Sequence, residues 1–410
     1  MRAVVLGAGI GGLTTALALQ RVGLATQVFE QAAELREVGA GIQMSPNGTR
    51  LLERLGLADP LRRVAVRPTA LEMRRWADGA VLSRQPLAGV CEAAFGAPYY
   101  HLYRPDLVAA LAAALPPGTV HLDHRFVSLR QHADGVEISF ANGATLTADV
   151  VIGADGIHSA VREAVFGGDS PWFSGSIAYR GLVPAERLAH LRLDRSVTSW
   201  LGPDRHFVHY YVAGGRLMNF VGVVPAGDWR AESWSATGRV ADALAEFAGW
   251  HSCVRSIIAA ADGVNRWGLY DRRPLERWSL GRVTLIGDAA HAMLPFMAQG
   301  AVQAVEDAVV LCRCLEEVDR AGVPAALRRY ETIRRARASR VQARARQNGE
   351  TFHLRDGEAQ RERDAHLAAA GPANPLLTSA WLYGHDADAP GARPALVRHA
   401  APEGLSVSAS

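Results

Sequence analysis

Three glycines near the N-terminus have the spacing of a site for phosphate groups. Gly7, Gly9 and Gly12 follow a short apolar run and open a stretch with helical periodicity. In such a turn the first glycine permits the tight bend, the second lets backbone approach a pyrophosphate, and the third lets helix and strand pack closely. The helix N-terminus then offers N–H groups and positive potential to the phosphates. Glu30 ends the next predicted strand, at the spacing of a carboxylate that accepts hydrogen bonds from ribose hydroxyls.

These glycines and Glu30 predict a bound dinucleotide, and a glycine-rich turn without a ligand is the alternative. Two further carboxylates, Asp155 and Asp288, each follow an apolar strand pattern and stand among small residues. A carboxylate at the end of a buried strand is badly placed for a core and well placed to hold a ligand. The three acids therefore predict an extended ligand that crosses the carboxyl edge of one sheet. For Asp288 the alternative is a cap on the helix that follows it.

The order of elements predicts an α/β fold. A βαβ unit opens the chain, and the apolar runs before the two aspartates supply further strands of a parallel sheet. Between about residues 172 and 275 the pattern becomes alternating and aromatic, which indicates a mixed β-sheet with one face available to a ligand. We predict a Rossmann-like domain over 1–170, with some substrate-side strands near 70–100, and an inserted α+β substrate domain over 171–276. The second part of the Rossmann-like domain, together with C-terminal helices, is predicted over 277–385, and a flexible tail over 386–410.

Composition narrows the class of protein. The chain has 410 residues and a net charge of +3, and all of its basic side chains apart from histidine are arginines. So small a charge argues against a dedicated nucleic-acid binder. No apolar run reaches the roughly 18 residues that a membrane crossing needs, and neither the cysteines nor the histidines have metal-ligand spacing. We expect a cytoplasmic protein, monomeric or homodimeric, without a nucleic-acid, membrane or metal partner.

Five separated segments carry a resemblance to a known family. GAGIGG, VFEQ, GAGIQMSPNG, ADGIHSAVR and IGDAAHAMLPFMAQGA occur in this order along the chain. With them the chain resembles the single-component, FAD-dependent aromatic hydroxylases, such as salicylate, 3-hydroxybenzoate and 6-hydroxynicotinate hydroxylases, over about residues 1–385. The resemblance implies FAD as cofactor, NAD(P)H as reductant with NADH favoured, and O2 trapped as a C4a-hydroperoxide of the flavin. It also implies a small phenolic or hydroxylated heteroaromatic substrate.

The resemblance also assigns residues to FAD. Glu30 is expected at the adenosine ribose, Asp155 belongs to a motif associated with FAD and NAD(P)H, and Asp288 is expected at the ribityl or pyrophosphate region. A helix that begins near Gly300 is expected to aim its N–H groups at the flavin edge where negative charge collects on reduction. The complete set of predicted FAD contacts is Gly7, Gly9, Ile10, Gly11, Gly12, Glu30, Arg36, Gly41, Ile42, Arg104, Val127, Asp155, Asp288, Pro295, Gly300 and Ala301.

The strand HFVHYYVAG is the predicted source of catalytic side chains. Hydroxylation of a phenol benefits from a base at the substrate hydroxyl, and the family pattern places a His or Tyr of this strand beside the substrate. Period-two geometry puts His209 and Tyr211 on one face and Tyr210 on the other. We predict His209 as base or phenol partner and Tyr211 as a hydrogen-bonding wall. A bulge would exchange Tyr211 for Tyr210, and a purely structural His209 is the alternative.

Three further residues are predicted to line the substrate pocket, namely Gln43, Pro295 and Phe296. In some relatives the equivalent of one or both of Gln43 and Phe296 is a histidine that touches the substrate, so the amide and the aromatic ring found here argue against 6-hydroxynicotinate. We predict a structural or flavin-side hydrogen bond for His291, and capping and packing for Glu306 and Asp307. A flavin monooxygenase or oxidase for a purine, an indole or a polycyclic metabolite is the second hypothesis, and a non-catalytic flavin-binding protein is the third.

Overall fold

The computed structural model describes residues 1–35, 39–227, 237–369 and 379–389. Its strands are β1 (Arg2–Leu6), β2 (Ala25–Phe29), β3 (Gly41–Met44), β4 (Ala70–Arg75), β5 (Val81–Pro86), β6 (Tyr100–Tyr103), β7 (Val120–His121), β8 (Phe126–Gln131), β9 (Val136–Phe140), β10 (Thr145–Ala148), β11 (Val150–Gly153), β12 (Trp172–Pro184), β13 (Val197–Gly202), β14 (Arg205–Val212), β15 (Leu217–Pro225), β16 (Thr237–Gly238), β17 (Val264–Asp271), β18 (Ser279–Leu280) and β19 (Val283–Leu285).

The α-helices are α1 (Ile10–Arg21), α2 (Pro46–Leu52), α3 (Ala58–Val64), α4 (Val90–Phe95), α5 (Arg104–Ala113), α6 (Ala160–Phe166), α7 (Val240–Glu246), α8 (Ser252–Ala259), α9 (Asp288–His291), α10 (Gly300–Leu315), α11 (Val323–Phe352), α12 (Glu358–Ala369) and α13 (Ala380–Tyr383). Short 3-10 segments cover Ala185–Leu191, Ala213–Gly215 and Pro295–Met297, and a π turn covers Glu53–Leu57.

The first sheet has the order β18-β19-β11-β1-β2-β7, and its strands are parallel except for β18. β1 and β11 are short apolar runs because helices cover both faces of the sheet, and their central residues are fully buried. In the register, Leu6 pairs with Gly153 and Gly153 with Leu285. The loops after β1, β11 and β19 therefore leave the sheet at one common edge, which the spacing of the acids predicted.

The second sheet is mixed, with the order β16-β17-β12-β15-β14-β13-β4-β5. It contains β4 and β5, so the strands near 70–86 do belong to the sheet that is otherwise built from residues beyond 171. One face of this sheet packs on α7 and α8 through a cluster that includes Phe207, Phe220, Phe247 and Trp250. The other face looks towards the parallel sheet. The division into domains stays a prediction, and residues 390–410 of the predicted tail lie outside the described residues.

The cysteines Cys91, Cys253, Cys312 and Cys314 are all free thiols. Within the described ranges, no group of His, Cys, Asp and Glu is arranged to hold a metal ion. None of the helices in the described parts of the chain combines the length and the hydropathy that a membrane crossing requires.

Candidate active site

Two connected hollows follow the carboxyl edge of the parallel sheet. The larger, of about 880 Å³, is lined by Glu30 and Asp155. The smaller, of about 350 Å³, continues beneath the mixed sheet and is lined by Tyr210. Arg104 and Asp288 line both hollows. We call the larger hollow the trough and the smaller one the cavity. The structure thus brings the three acids to one continuous groove, as the sequence predicts.

The glycine turn shapes the start of the trough by close backbone contact. Gly7 has a φ of 111°, and a Cβ there would lie 2.4 Å from the oxygen of Ala154. A Cβ on Gly12 would lie 1.9 Å from the oxygen of Gly7, so helix and turn touch directly. At Gly9 nothing lies within 4 Å of a Cβ, and its backbone borders the trough. The first-turn N–H groups of α1 lack helical acceptors and suit phosphate oxygens.

Glu30 is held at the rim of the trough by two backbone groups. Its Oε2 accepts a hydrogen bond from the Ala8 N–H at 2.8 Å, and its Oε1 accepts one from the Ala32 N–H at 3.0 Å. Each carboxylate oxygen can accept a second hydrogen bond. The fixed carboxylate therefore still has capacity for ribose hydroxyls.

Asp288 stands where β19 gives way to α9. The preceding Gly287 has a φ of 56° and a ψ of −139°, which turns the chain sharply. Asp288 is exposed, and among the described residues its carboxylate makes no hydrogen bond, so it does not cap α9. A Cβ on Gly300 would lie 3.7 Å from its Oδ1, so the start of α10 faces the same spot. An exposed carboxylate in a groove, with the charge of Arg104 nearby, suits the hydroxyls of a ribityl chain.

Asp155 lines the trough and also stabilises the start of α6 through local hydrogen bonds. Its carboxylate accepts hydrogen bonds from Ser159 Oγ at 2.5 Å and from the Val161 N–H at 3.0 Å. Ser159 in turn caps α6 by accepting from the Arg162 N–H at 2.9 Å. Burial raises the pKa of Asp155, and these hydrogen bonds oppose that rise. Its role towards FAD or NAD(P)H stays a prediction.

Most of the predicted FAD contacts do border the groove. Arg36 lies outside the described residues. Val127 is 56% exposed and is not among the lining residues, whereas its neighbour Phe126 is. Gly12 lies behind the turn, where it permits packing. The predicted residues that line the trough or the cavity are Gly7, Gly9, Ile10, Gly11, Glu30, Gly41, Ile42, Arg104, Asp155, Asp288, Pro295, Gly300 and Ala301.

The prediction that His209 and Tyr211 face the substrate is corrected by the structure. Both lie on the face of β14 that packs on α7 and α8, and neither lines the cavity. The ring of His209 is 6.4 Å from that of Trp200 and 6.2 Å from that of Phe207. Burial and, to a smaller extent, the charge of Arg74 lower the pKa of His209 to about 3. The alternation along the strand was right, but its two faces were assigned the wrong way round.

The residues of β14 that line the cavity are His206, Val208 and Tyr210. The pairing of β14 with β15 runs without a bulge from His206 to Val212, so ordinary alternation brings Tyr210 inward. Burial raises the pKa of Tyr210 to about 12, against the opposing effects of Arg180 and of a hydrogen bond with Gln43. Tyr210 is therefore a neutral hydrogen-bond donor at physiological pH.

His206 has a defined partner. Its Nδ1 lies 2.7 Å from Nε2 of His353, which leaves Nε2 of His206 as the nitrogen available to a substrate. The ring is 4% exposed. Burial, and then His353, hold the pKa of His206 well below its usual range. The imidazole is therefore neutral and can accept a proton.

Gln43 and Phe296 line the cavity, as predicted. The Tyr99 hydroxyl donates to Gln43 Oε1 at 2.8 Å, so the amide links Tyr99 to Tyr210. Phe296 meets the ring of His206 edge-on at 5.2 Å. The lining of the cavity thus includes both a polar amide and an aromatic ring.

Sequence reasoning missed Arg180 on β12. It lines both hollows and lies at their junction, with its guanidinium 4.1 Å from the centre of the Trp267 ring. Burial lowers its pKa to about 10, so it keeps its positive charge at neutral pH. The only signal in the sequence is an arginine in the otherwise apolar and small pattern SIAYRGLV.

A buried polar network underlies the turn that presents Asp288. Asp307 accepts hydrogen bonds from the Gly287 N–H at 2.9 Å and from Arg334 Nε at 2.7 Å, and its Oδ2 lies 2.6 Å from His291 Nε2. Glu306 pairs with Arg334 at 2.5 Å. Burial alone would raise the pKa of each carboxyl, but the charged partners lower both to about 2. This agrees with packing rather than catalysis for the two acids.

Comparison with known proteins gives consistent matches. The family profile described as FAD binding domain matches residues 1–345. A 3-amino-4-hydroxybenzoate 2-monooxygenase from Streptomyces platensis is 46% identical over 392 residues, which cover 96% of this chain and 98% of that protein. A 6-hydroxynicotinate 3-monooxygenase from Bordetella bronchiseptica is 39% identical over 344 residues, 83% of this chain and 89% of that protein. The structure of HpxO from Klebsiella pneumoniae complexed with FAD and uric acid has a TM-score of 0.81 and 30% identity, and the match covers 90% of this chain and 93% of that chain.

Proposed function

Because this chain belongs to the FAD-binding family of aromatic monooxygenases, we propose that its substrate is a small benzoate with amino and hydroxyl groups. The specific candidate is 3-amino-4-hydroxybenzoate, the compound in the name of the relative that is 46% identical over 96% of this chain. The matches confirm the predicted family, the α/β fold class, FAD as cofactor and an aromatic monooxygenase activity. They favour neither the purine, indole or polycyclic substrates nor a non-catalytic protein.

The observation that carries the substrate proposal is the chemistry of the cavity walls. His206, Tyr210 and Gln43 supply polar groups, and Val208 and Phe296 supply flat apolar surface. A volume of about 350 Å³ suits a single substituted ring beside a flavin better than a polycyclic metabolite. A few polar groups on a mostly apolar wall fix the orientation of such a ring.

The position of Arg180 favours a substrate whose ring carries a carboxylate. It lies at the junction of the two hollows, and its charge acts on Tyr210, so cation and phenol hydroxyl face one region. A guanidinium offers two parallel N–H groups to a carboxylate. We propose that Arg180 anchors the benzoate carboxylate and that Tyr210 donates a hydrogen bond to the same end of the substrate.

His206 is the proposed catalytic base. FAD, held in the trough by Glu30, Arg104 and Asp288, would supply the activated oxygen for transfer to the ring. A neutral imidazole that accepts an N–H or O–H from the substrate increases the electron density of the ring at positions activated by that group. In the balance, the aromatic C–H and one oxygen atom of O2 become C–OH, and the other oxygen atom leaves as water with the hydride of NAD(P)H and one proton from solvent. The first-turn N–H groups of α10, at Gly300 and Ala301, add positive potential at the cavity.

The proposal also covers the reductant, the co-substrate, the location of the protein and its assembly. We propose NADH rather than NADPH as the reductant, O2 as co-substrate, a cytoplasmic location, and a monomer or homodimer as the assembly. We also retain the predicted FAD contacts of Glu30, Arg104 and Asp288, because the groove brings these three side chains to one path.

The decisive experiment is a substrate panel scored for oxygenated product. Purified FAD-loaded protein is given NADH or NADPH with 3-amino-4-hydroxybenzoate, 4-hydroxybenzoate, 3-hydroxybenzoate or 6-hydroxynicotinate under 18O2. We expect one labelled oxygen atom in the product of 3-amino-4-hydroxybenzoate, at a kcat/KM at least tenfold above that of the other three. Oxidation of NADH without labelled product from any of the four would refute the proposed substrate class.

A further inference from the structure

His353 lies just beyond the C-terminus of α11, next to the cavity residue His206. Its Nε2 is 2.7 Å from Nδ1 of His206, and the two rings are inclined by only 26°. Phe296 and Phe352 meet the His206 ring edge-on at 5.2 and 5.5 Å, so apolar rings enclose the contact. The residues of the pair are separated by 147 positions in the chain.

On the side away from His206, His353 borders polar residues at the protein surface. Its carbonyl oxygen accepts a hydrogen bond from the Asp204 N–H at 3.1 Å, and the Asp204 carboxylate pairs with Arg355 at 2.9 Å. The Arg355 side chain is 80% exposed. His353 itself is only partly buried. Among the described residues, the charge that acts on His353 is that of Asp204, which is itself paired with Arg355.

From this geometry we propose that His353 is a relay that carries protons between His206 and solvent, an inference that rests on the function proposed above. In the resting pair His206 donates its Nδ1 proton to His353 Nε2, and His206 Nε2 is unprotonated towards the cavity. When Nε2 accepts the substrate proton, Nδ1 releases its proton to His353 Nε2, and His353 Nδ1 releases one to water. The proton returns by the same path when the product is reprotonated, which restores both tautomers.

The relay explains how a buried base can act without becoming a buried cation. Burial disfavours the charged form of His206, because an imidazolium in an apolar enclosure loses its hydration. Burial also lowers the pKa of His353, to about 4, although the charge of Asp204 opposes this, so concerted transfer with release of a proton to water leaves both rings neutral. Proton transfer along two hydrogen-bonded imidazoles requires only the donor–acceptor contact that the pair already has.

The activity test compares His353→Gln, His353→Ala and the control Glu350→Gln, at an exposed position of the same helix, in the full-length holoenzyme with 3-amino-4-hydroxybenzoate. We expect His353→Gln to lose tenfold or more in kcat at pH 7, with KM and FAD content unchanged, because an amide keeps the contact but does not pass protons. Its kcat should rise with pH as hydroxide replaces the relay. Imidazole in the buffer should restore the activity of His353→Ala, and Glu350→Gln should stay within about twofold of the unaltered protein.

A second measurement does not depend on turnover. Nitrogen NMR of the holoenzyme labelled in histidine should show His206 protonated at Nδ1 and His353 unprotonated at Nε2 at pH 7. Unprotonated Nδ1 on His206, or an imidazolium at either position, would overturn the relay. So would a His353→Gln protein whose pH profile and kcat match the unaltered protein. The two proposals can be refuted separately. If NMR shows the expected tautomers but the substrate panel yields no labelled product, the proposed substrate is refuted and the hydrogen-bonded pair of histidines is retained.

Discussion

In the parallel sheet the groove is lined by backbone groups and by acids at strand ends, whereas in the mixed sheet the cavity is lined by side chains from one face of a strand. The trough depends on Gly7, Gly9 and Glu30, whose roles follow from their position in a turn or at a strand end. The cavity depends on His206 and Tyr210, whose roles follow from which face of β14 is covered by α7 and α8. Local spacing therefore specifies the first region, and packing specifies the second.

The largest expected effect is on the stability of the protein, and it concerns the buried polar network around Arg334 that both regions share. Arg334→Met leaves Glu306 and Asp307 without their common buried cation, and we expect the free energy of unfolding at pH 7 to fall by about 3–5 kcal/mol. The exposed neighbour variant Arg335→Met is the control and should change it by less than about 0.5 kcal/mol. Urea denaturation of both variants measures the difference. Equal stability of the two variants would contradict the structural role of the network.

The same network predicts a pH dependence of stability. The folded-state pKa values of Glu306 and Asp307 are about 2, below the unfolded values of about 4. Their ion pairs therefore contribute fully at neutral pH, and this stability is lost as pH falls from about 4 towards 2. Arg334→Met should weaken that dependence. A slope that is unchanged in the variant would show that other groups control acid unfolding.

The glycine turn offers the next test, because two glycines three residues apart should respond differently. In Gly12→Ala the new Cβ meets the oxygen of Gly7, and we expect apo-protein stability to fall by about 3 kcal/mol together with FAD binding. In Gly9→Ala the Cβ enters open space, so stability should hold and only FAD affinity should fall. Chemical denaturation of the apo-proteins and FAD titration separate the two effects. A stable Gly12→Ala would mean that the helix moves away from the turn at little cost.

His206 and His209 test the assignment of faces within one strand. His206→Gln should lower kcat about a hundredfold with FAD content unchanged, because it removes the proposed base. His209→Phe should leave kcat within about twofold and raise stability by about 1 kcal/mol, because the buried His209 ring nitrogens have no hydrogen-bond partner among the described residues. The reverse pattern of kcat values would restore the original assignment of His209.

The smallest effect is expected at Arg180. Arg180→Met should raise KM for 3-amino-4-hydroxybenzoate about tenfold, because a partly screened charge-assisted hydrogen bond to the carboxylate is lost. Its effect on a substrate analogue with a carboxamide in place of the carboxylate should be less than twofold. A loss of FAD in place of a rise in KM would assign Arg180 to the cofactor side of the junction.

The sequence by itself determined the strand ends and the glycine turn, because these depend on residues close together in the chain. It also determined the placement of Glu30, Asp155 and Asp288 on one edge, because the carboxyl ends of parallel strands meet at the same edge of a sheet. It also determined the alternation of β14, since side chains of a strand must point to opposite faces. Only the tertiary structure decided which face meets the substrate, because that depends on α7 and α8 covering the other face. The same holds for the pairing of His206 with His353, which requires the end of α11 to fold back against β14.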